Sequence, residues 1–251
     1  MAASALEQNG VGASPYLLAL RAALATDPGG PLARFTISDP TVHVHAMGDS
    51  LWALIRRDGM GGLALRCAFL AGAFECVQRR PKPGEIARLQ ISSALGKHFV
   101  IFKAGQDGLE HIRMTVRFTP ATAMVVPFMP RDLYPMAADD DPLRAMGQVE
   151  AGQRGLNGGV LYFRIDEPAF GNVLYFQNLT AMNDYYRATK TKPDGAVGGE
   201  WPELGYLLPT PPQSGTPPTD ALSPGIEVTL SDAILVFRHD APPHERESAR
   251  Q

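Results

Sequence analysis

Apolar and polar positions alternate most clearly over residues 111–118. Ile112, Met114, Val116 and Phe118 take one side, and Arg113, Thr115 and Arg117 take the other. A period of two sets successive side chains on opposite faces of a strand, so this segment predicts an antiparallel element with one dry and one wet face. Shorter β-prone runs precede it: Phe35-Thr36-Ile37, then Val42-His43-Val44-His45 after Asp39-Pro40, then residues 51–56 after the Gly48-Asp49 turn. Residues 63–77 are apolar and read as one bent strand or two, because Gly72 interrupts them. Val160-Leu161-Tyr162-Phe163 and Val173-Leu174-Tyr175-Phe176 flank Asp166-Glu167-Pro168 and predict neighbouring strands with similar faces. Residues 227–237 predict a last strand pair, Val228 and Leu230 followed by Ala233-Ile234-Leu235-Val236-Phe237.

Helical signals are few. Ser14-Pro15 reads as a cap followed by proline in the first turn, and residues 16–25 are rich in leucine and alanine until Asp27-Pro28-Gly29-Gly30-Pro31 stops them. This predicts a short helix leaning on a sheet edge. Residues 179–189 predict a short helix or helical turn. Residues 1–13 are small and polar, and are predicted disordered. Prolines 209, 211, 212, 217, 218 and 224 predict an extended surface loop over 209–225. The domain is therefore placed at 14–240, with 241–251 as a tail or the start of a linker helix. Many short strands, 25 glycines, 22 prolines and no strand–helix alternation predict a mostly β chain. The expected architecture is an antiparallel β-sandwich, supersandwich-like, with one or two short peripheral helices.

Bulk composition narrows the function classes. At 251 residues, 45% hydrophobic and 20% charged, the chain can bury a core without a metal or a disulfide. A net charge of −3 with scattered lysine and arginine gives no footprint for nucleic acid. No apolar run approaches the ~18 residues of a membrane span, and the first residues lack the pattern of a signal peptide, so no membrane partner is expected and the expected compartment is the cytoplasm. Cys67 and Cys76 read as reduced cysteines there, although spacing alone leaves their pairing open. Asn178-Leu179-Thr180 matches a glycosylation acceptor, a chance match in a chain without a secretion signal.

Several segments carry candidate chemistry. His43 and His45, two apart on a strand, share a face in the manner of a two-histidine metal pair, with His98 or His111 as third-ligand candidates; the alternative is a polar strand face, and no metal or other cofactor is assigned. The segment Gly198-Gly199-Glu200-Trp201-Pro202-Glu203-Leu204-Gly205-Tyr206 sets two carboxylates beside a tryptophan and a tyrosine. Sugar rings stack on aromatic faces while carboxylates accept from their hydroxyls, and paired carboxylates also serve glycosidic cleavage. The alternative is a loop whose Trp201 anchors onto the sheet. Pro127-Phe128-Met129-Pro130-Arg131-Asp132-Leu133-Tyr134-Pro135 is a proline-framed stretch in which Arg131 and Asp132 pair with each other or with a ligand, or simply turn a corner. Asp139-Asp140-Asp141 lacks the glycine and distal glutamate of a calcium loop and reads as an exposed acidic loop. Phosphate-binding loops, the dinucleotide fingerprint and the nucleophile elbow are all absent from the sequence.

Three runs carry a family resemblance: Val126-Pro127-Phe128-Met129-Pro130-Arg131-Asp132-Leu133-Tyr134-Pro135, Leu174-Tyr175-Phe176-Gln177-Asn178-Leu179-Thr180-Ala181-Met182-Asn183 and Gly199-Glu200-Trp201-Pro202-Glu203-Leu204-Gly205. Together they resemble the N-terminal sandwich of bacterial proteins of the six-hairpin glycosidase type, which includes glucoamylase-like hydrolases and disaccharide phosphorylases. The resemblance spans roughly residues 34–240. It implies a β-supersandwich in front of a linker helix and an (α/α)6 barrel that holds the catalytic carboxylates, so catalytic residues of this chain stay unknown. It implies a carbohydrate ligand and a helical catalytic domain or subunit as partners. Glu200, Trp201, Glu203, Tyr206, Arg131 and Trp52 are the expected sugar contacts, by residue type and loop position. A homodimer is left open. A free-standing hydrolase using a carboxylate pair such as Glu200 and Glu203, and a metal-dependent enzyme using His43 and His45, are the competing functions.

Overall fold

The alternation over 111–118 forms the inner side of a long strand, with Ile112, Met114, Val116 and Phe118 fully buried. The computed structural model describes residues 15–26, 28–105, 110–127, 129–130, 132–152, 159–167, 170–191, 201–204 and 220–238. In these, β1 (Ala33–Thr36), β2 (Thr41–Met47), β3 (Ser50–Arg56), β4 (Gly62–Phe69) and β9 (Leu133–Met136) form one antiparallel sheet in the order β1-β2-β3-β4-β9. The other strands are β5 (Phe74–Arg79), β6 (Ala87–Ser93), β7 (Gly96–Ala104), β8 (His111–Pro120), β10 (Met146–Gly152), β11 (Val160–Glu167), β12 (Gly171–Gln177) and β13 (Val228–Arg238). They form an eight-stranded antiparallel sheet in the order β10-β11-β12-β13-β8-β7-β6-β5. The two sheets share one apolar core, and the fold is the expected mostly β sandwich.

The N-terminal helix α1 (Pro15–Ala25) covers a sheet face, not an edge. Leu17 and Leu20 bury against Met47, Trp52, Leu54, Ala64, Tyr134 and Met136 on the outer side of the five-stranded sheet. The middle of that sheet is covered on both sides, so β3 and β4 are buried almost end to end and read as apolar runs without alternation. The acidic loop fastens the helix and the sheet: Asp141 pairs with Arg21 at 2.9 Å, Asp140 with Arg56 at 2.8 Å, and Asp139 with Arg144.

Residues 63–77 make two strands in different sheets, with Gly72 at φ +58° in the crossing between them. Cys67 and Cys76 therefore belong to separate sheets, and both are free thiols. The two runs containing Leu-Tyr-Phe do pair as neighbours, Val160 opposite Phe176 and Phe163 opposite Val173. The last element is one strand, not a pair: a register shift between Thr229 and Ser231 lets β13 run on through Ser231 and Asp232. Residues 179–189 form a 3-10 turn (Leu179–Met182) and a short helix α2 (Asn183–Thr189), as expected, and Met182, Tyr185 and Tyr186 join the main core. Of the proline loop at 209–225, residues 209–219 lie outside the described residues. Leu222 bridges to Met124.

Arg57, just past β3, ties the sheets together at one end. Its side chain is 1% exposed and donates to Asp39 at 2.8 Å, to Glu110 at 2.7 Å and to the Phe170 carbonyl, with the guanidinium 4.9 Å from the Phe170 ring centroid. Among the described residues no helix is long and apolar enough to cross a membrane.

Candidate functional site

The outer face of the eight-stranded sheet is where this fold departs from a simple wet surface. Along β12, Val173 and Tyr175 point into the core while Leu174 and Phe176 point out, at 37% and 41% exposure. Strand pairing extends them into two rows. Leu174 lies between Tyr162 of β11 and Val236 of β13, whose next neighbour is His111 of β8. Phe176 lies between Val160 and Ile234, whose next neighbours are Arg113 and then Lys103 of β7. The six apolar side chains span three strands, about 10 Å across and roughly 7 Å along. On one side the strip runs directly into His111, Arg113 and Lys103. An exposed apolar patch rimmed by charge is the signature of an interaction surface.

A polar network holds the basic side of this strip in place. The buried Asp232 carboxylate receives both arms of Arg113, at 2.7 and 2.6 Å, the Thr115 hydroxyl at 3.0 Å and the Asn178 amide at 2.8 Å. Burial pushes the Asp232 carboxyl up, but the hydrogen bonds from Arg113 and Asn178 outweigh it and hold the group below its usual range. The same pairing raises the Arg113 guanidinium. A carboxyl lowered in the folded state stabilises above its unfolded pKa of 3.8 and loses that contribution as acid titrates it. Asp232→Asn is expected to cost about 1–3 kcal/mol at pH 7 and to lose less stability than the native chain between pH 4 and 2. Urea denaturation at the two ends of that range checks both effects.

The residues expected to touch sugar are divided by the structure. Glu200, Tyr206 and Arg131 lie outside the described residues. Trp201 is 5% exposed, its indole N–H donates to the Ala145 carbonyl at 3.1 Å, and its ring lies against Gly147. Glu203 is buried beside it, and Leu204 exchanges backbone hydrogen bonds with Leu133 at 3.0 and 3.1 Å. Trp52 lies in β3 rather than in a loop, buried 5.8 Å from the Tyr134 ring.

Trp52 and Glu203 both lie near Tyr134, in a cluster around Arg66 that sequence reasoning did not assemble. Arg66 of β4 donates to Ser50 at 2.8 Å, and to Asp132 and Asp49 at 3.1 Å each. Its guanidinium lies 5.6 Å from both the Tyr16 and the Trp52 ring centroids. Burial, then the charges of Asp132 and Glu203, push the Tyr134 hydroxyl well above its ordinary pKa, against the opposing pull of Arg66. Two buried carboxylates, Asp132 and Glu203, thus gather with a guanidinium and three aromatic rings inside the protein, beneath α1, while the Asp49 carboxylate reaches solvent. Their chemistry in this arrangement is mutual neutralisation of buried charge.

His43 and His45 share a strand face as expected, with ring centroids 6.2 Å apart. His43 Nε2 accepts from Arg34 at 2.7 Å, and burial followed by the charges of Arg34 and Arg56 lowers its pKa. A cationic surrounding disfavours a metal dication. Among the described residues no group of three or more His, Cys, Asp or Glu side chains gathers at metal-binding distance. His98 lies on the other sheet and faces the core.

No protein-family profile matches the chain, and no curated protein or solved structure matches it either.

Proposed function

We propose that this chain is a cytoplasmic, carbohydrate-associated accessory sandwich that docks through the outer face of its eight-stranded sheet onto a helical (α/α)6 glycosidase or phosphorylase unit. The observation that carries the reading is the strip of Leu174, Phe176, Tyr162 and Ile234, open on strands whose inward residues Leu161, Phe163, Val173, Tyr175, Ala233 and Leu235 are all buried. A helix is about 10 Å in diameter, the same width as the three strands that bear the strip. A typical stable interface buries about 800 Å² per partner, so the strip would form the dry centre and His111, Arg113 and Lys103 the polar rim. Lys103, beside the Arg113–Asp232 pair, suits a helix face bearing a carboxylate. The sequence runs that resemble the six-hairpin glycosidase type support a barrel as the partner, and in that arrangement the barrel supplies the catalytic carboxylates.

Calorimetric titration of the full chain against separately purified (α/α)6 barrels of the glucoamylase and disaccharide phosphorylase types tests the proposal. Saturable binding to one type is expected. Leu174→Asp with Phe176→Asp is expected to weaken it roughly thirtyfold or more, since buried interface anchors contribute about 1–2 kcal/mol each. The thermal midpoint should hold, because both side chains are half-exposed. Failure to bind any barrel, or equal binding by the double variant, overturns the docking reading. A glycan array run beside it shows whether the chain holds sugar on its own.

A further inference from the structure

Each sheet of a sandwich ends in two edge strands, and an edge strand displays unpaired N–H and C=O groups that another strand can take up. Three of the four edges here are blunted. β1 has 4 residues. β9 has 4 residues, contains Pro135 and is bridged by Leu204. β10 departs from regular register at two places. The remaining edge, β5, has 6 residues in unbroken register with β6, without proline, lysine or bulge. It is open to solvent along its length, and Phe74 is 36% exposed.

The charges of this strand are self-complementary. Glu75, Val77 and Arg79 share the outer face, opposite Ser92, Gln90 and Arg88 of β6. Among the described residues neither Glu75 nor Arg79 has an ion-pair partner; Arg79 donates only to Gln90, at 3.1 Å. A two-fold axis through the sheet plane would pair two β5 strands antiparallel, with facing side chains on the same side. Facing residue numbers must then sum to an even value, so the axis passes through a residue. Centred on Val77, Glu75 faces the partner's Arg79 on both sides of a Val77–Val77 contact. Centred on Cys76 or Gln78, both charges lose their match.

We propose that β5 is a homodimer interface, in which two copies of the chain join their eight-stranded sheets edge to edge about Val77. The pairing is independent of the docking proposal, because β5 and the β11–β12 strip lie toward opposite ends of the sheet.

Sedimentation velocity on the full chain up to about 100 µM, a range that captures weak pairs, gives the first readout. A reversible dimer is expected. Glu75→Arg is expected to weaken it at least about tenfold by setting like charges face to face, and Glu75→Arg with Arg79→Glu to restore it within about threefold. Both residues are exposed, so thermal midpoints should stay put. In a Cys76→Ser background, Val77→Cys should cross-link between copies under mild oxidation. A monomer at every concentration overturns the proposal, as does a dimer indifferent to both charge variants, or capture of a strand from a different protein instead of a second copy.

Discussion

Trp201→Ala is expected to destabilise the fold by about 3–5 kcal/mol, the range for emptying a buried aromatic site. The ring is 5% exposed and lies so close to β10 that a Cβ on Gly147 would sit 2.5 Å from ring atom Cη2 and 2.1 Å from the Arg164 carbonyl oxygen. No collapse of the small alanine side chain can refill that space. The Ala145 carbonyl also loses the indole N–H that now reaches it at 3.1 Å. Urea denaturation measures the loss; a change under about 1 kcal/mol would show that the ring does not fill this site. The consequence for function is practical. Loss of sugar binding in Trp201→Ala would report a weakened fold as much as a missing contact, and Leu174 and Phe176 are the cleaner positions to probe.

Acid is expected to destabilise the protein well above the range where carboxylates titrate. His98 is fully buried between Phe69 and Phe118, each ring centroid 4.5 Å away, and among the described residues neither of its ring nitrogens has a hydrogen-bond partner. Burial lowers its pKa from 6.5 to about 3. The folded chain therefore refuses a proton that the unfolded chain accepts, and stability is full above pH 6.5 and falls as pH drops toward 3. With one proton at stake the slope is about 1.4 kcal/mol per pH unit, on the order of 4 kcal/mol over the window. Asp232 adds its own loss only below 3.8, but burial and Arg34 lower His43 as well, so over the range from pH 6 to 4.5 the share of His98 is the difference between the native and His98→Leu curves. His98→Leu is expected to flatten that range and to raise stability at pH 7 by about 1–3 kcal/mol, since no polar nitrogen stays buried without a partner. Urea midpoints at pH 7, 6, 5 and 4.5 for both proteins decide it; parallel curves would assign the acid response elsewhere.

How much of this was legible depended on whether a strand has a wet side. β8 carries arginine and threonine outward and announced itself by alternation. β7 did not, because Phe99 and Ile101 on its outer face merge with Val100 and Phe102 on its inner face into one apolar run. β9 contains Pro135, which argues against a strand in a sheet interior but is tolerated at an edge. The polar pair Ser231-Asp232 looks like a break in β13; a bulge there turns Asp232 outward to meet Arg113. Residue type flagged Trp52, Trp201 and Glu203, but type does not give direction, and all three are buried. The Arg66 cluster draws on β3, β4 and β9, from Ser50 to Tyr134, so spacing along the chain could not gather it. The Leu174–Phe176 strip had a visible signal: a run apolar at every position, in a sheet with only one dry face.

Arg57 constrains how such a chain can diverge. Its three donor directions are each committed to a different stretch of chain, at Asp39, Glu110 and Phe170. Lysine, a point charge without the planar fork, cannot serve all three at once. Losing either acid leaves a buried cation short of countercharge. Over evolutionary time positions 39, 57 and 110 should consequently change in concert or stay as they are, and related sequences should carry that covariation as a mark linking the two sheets.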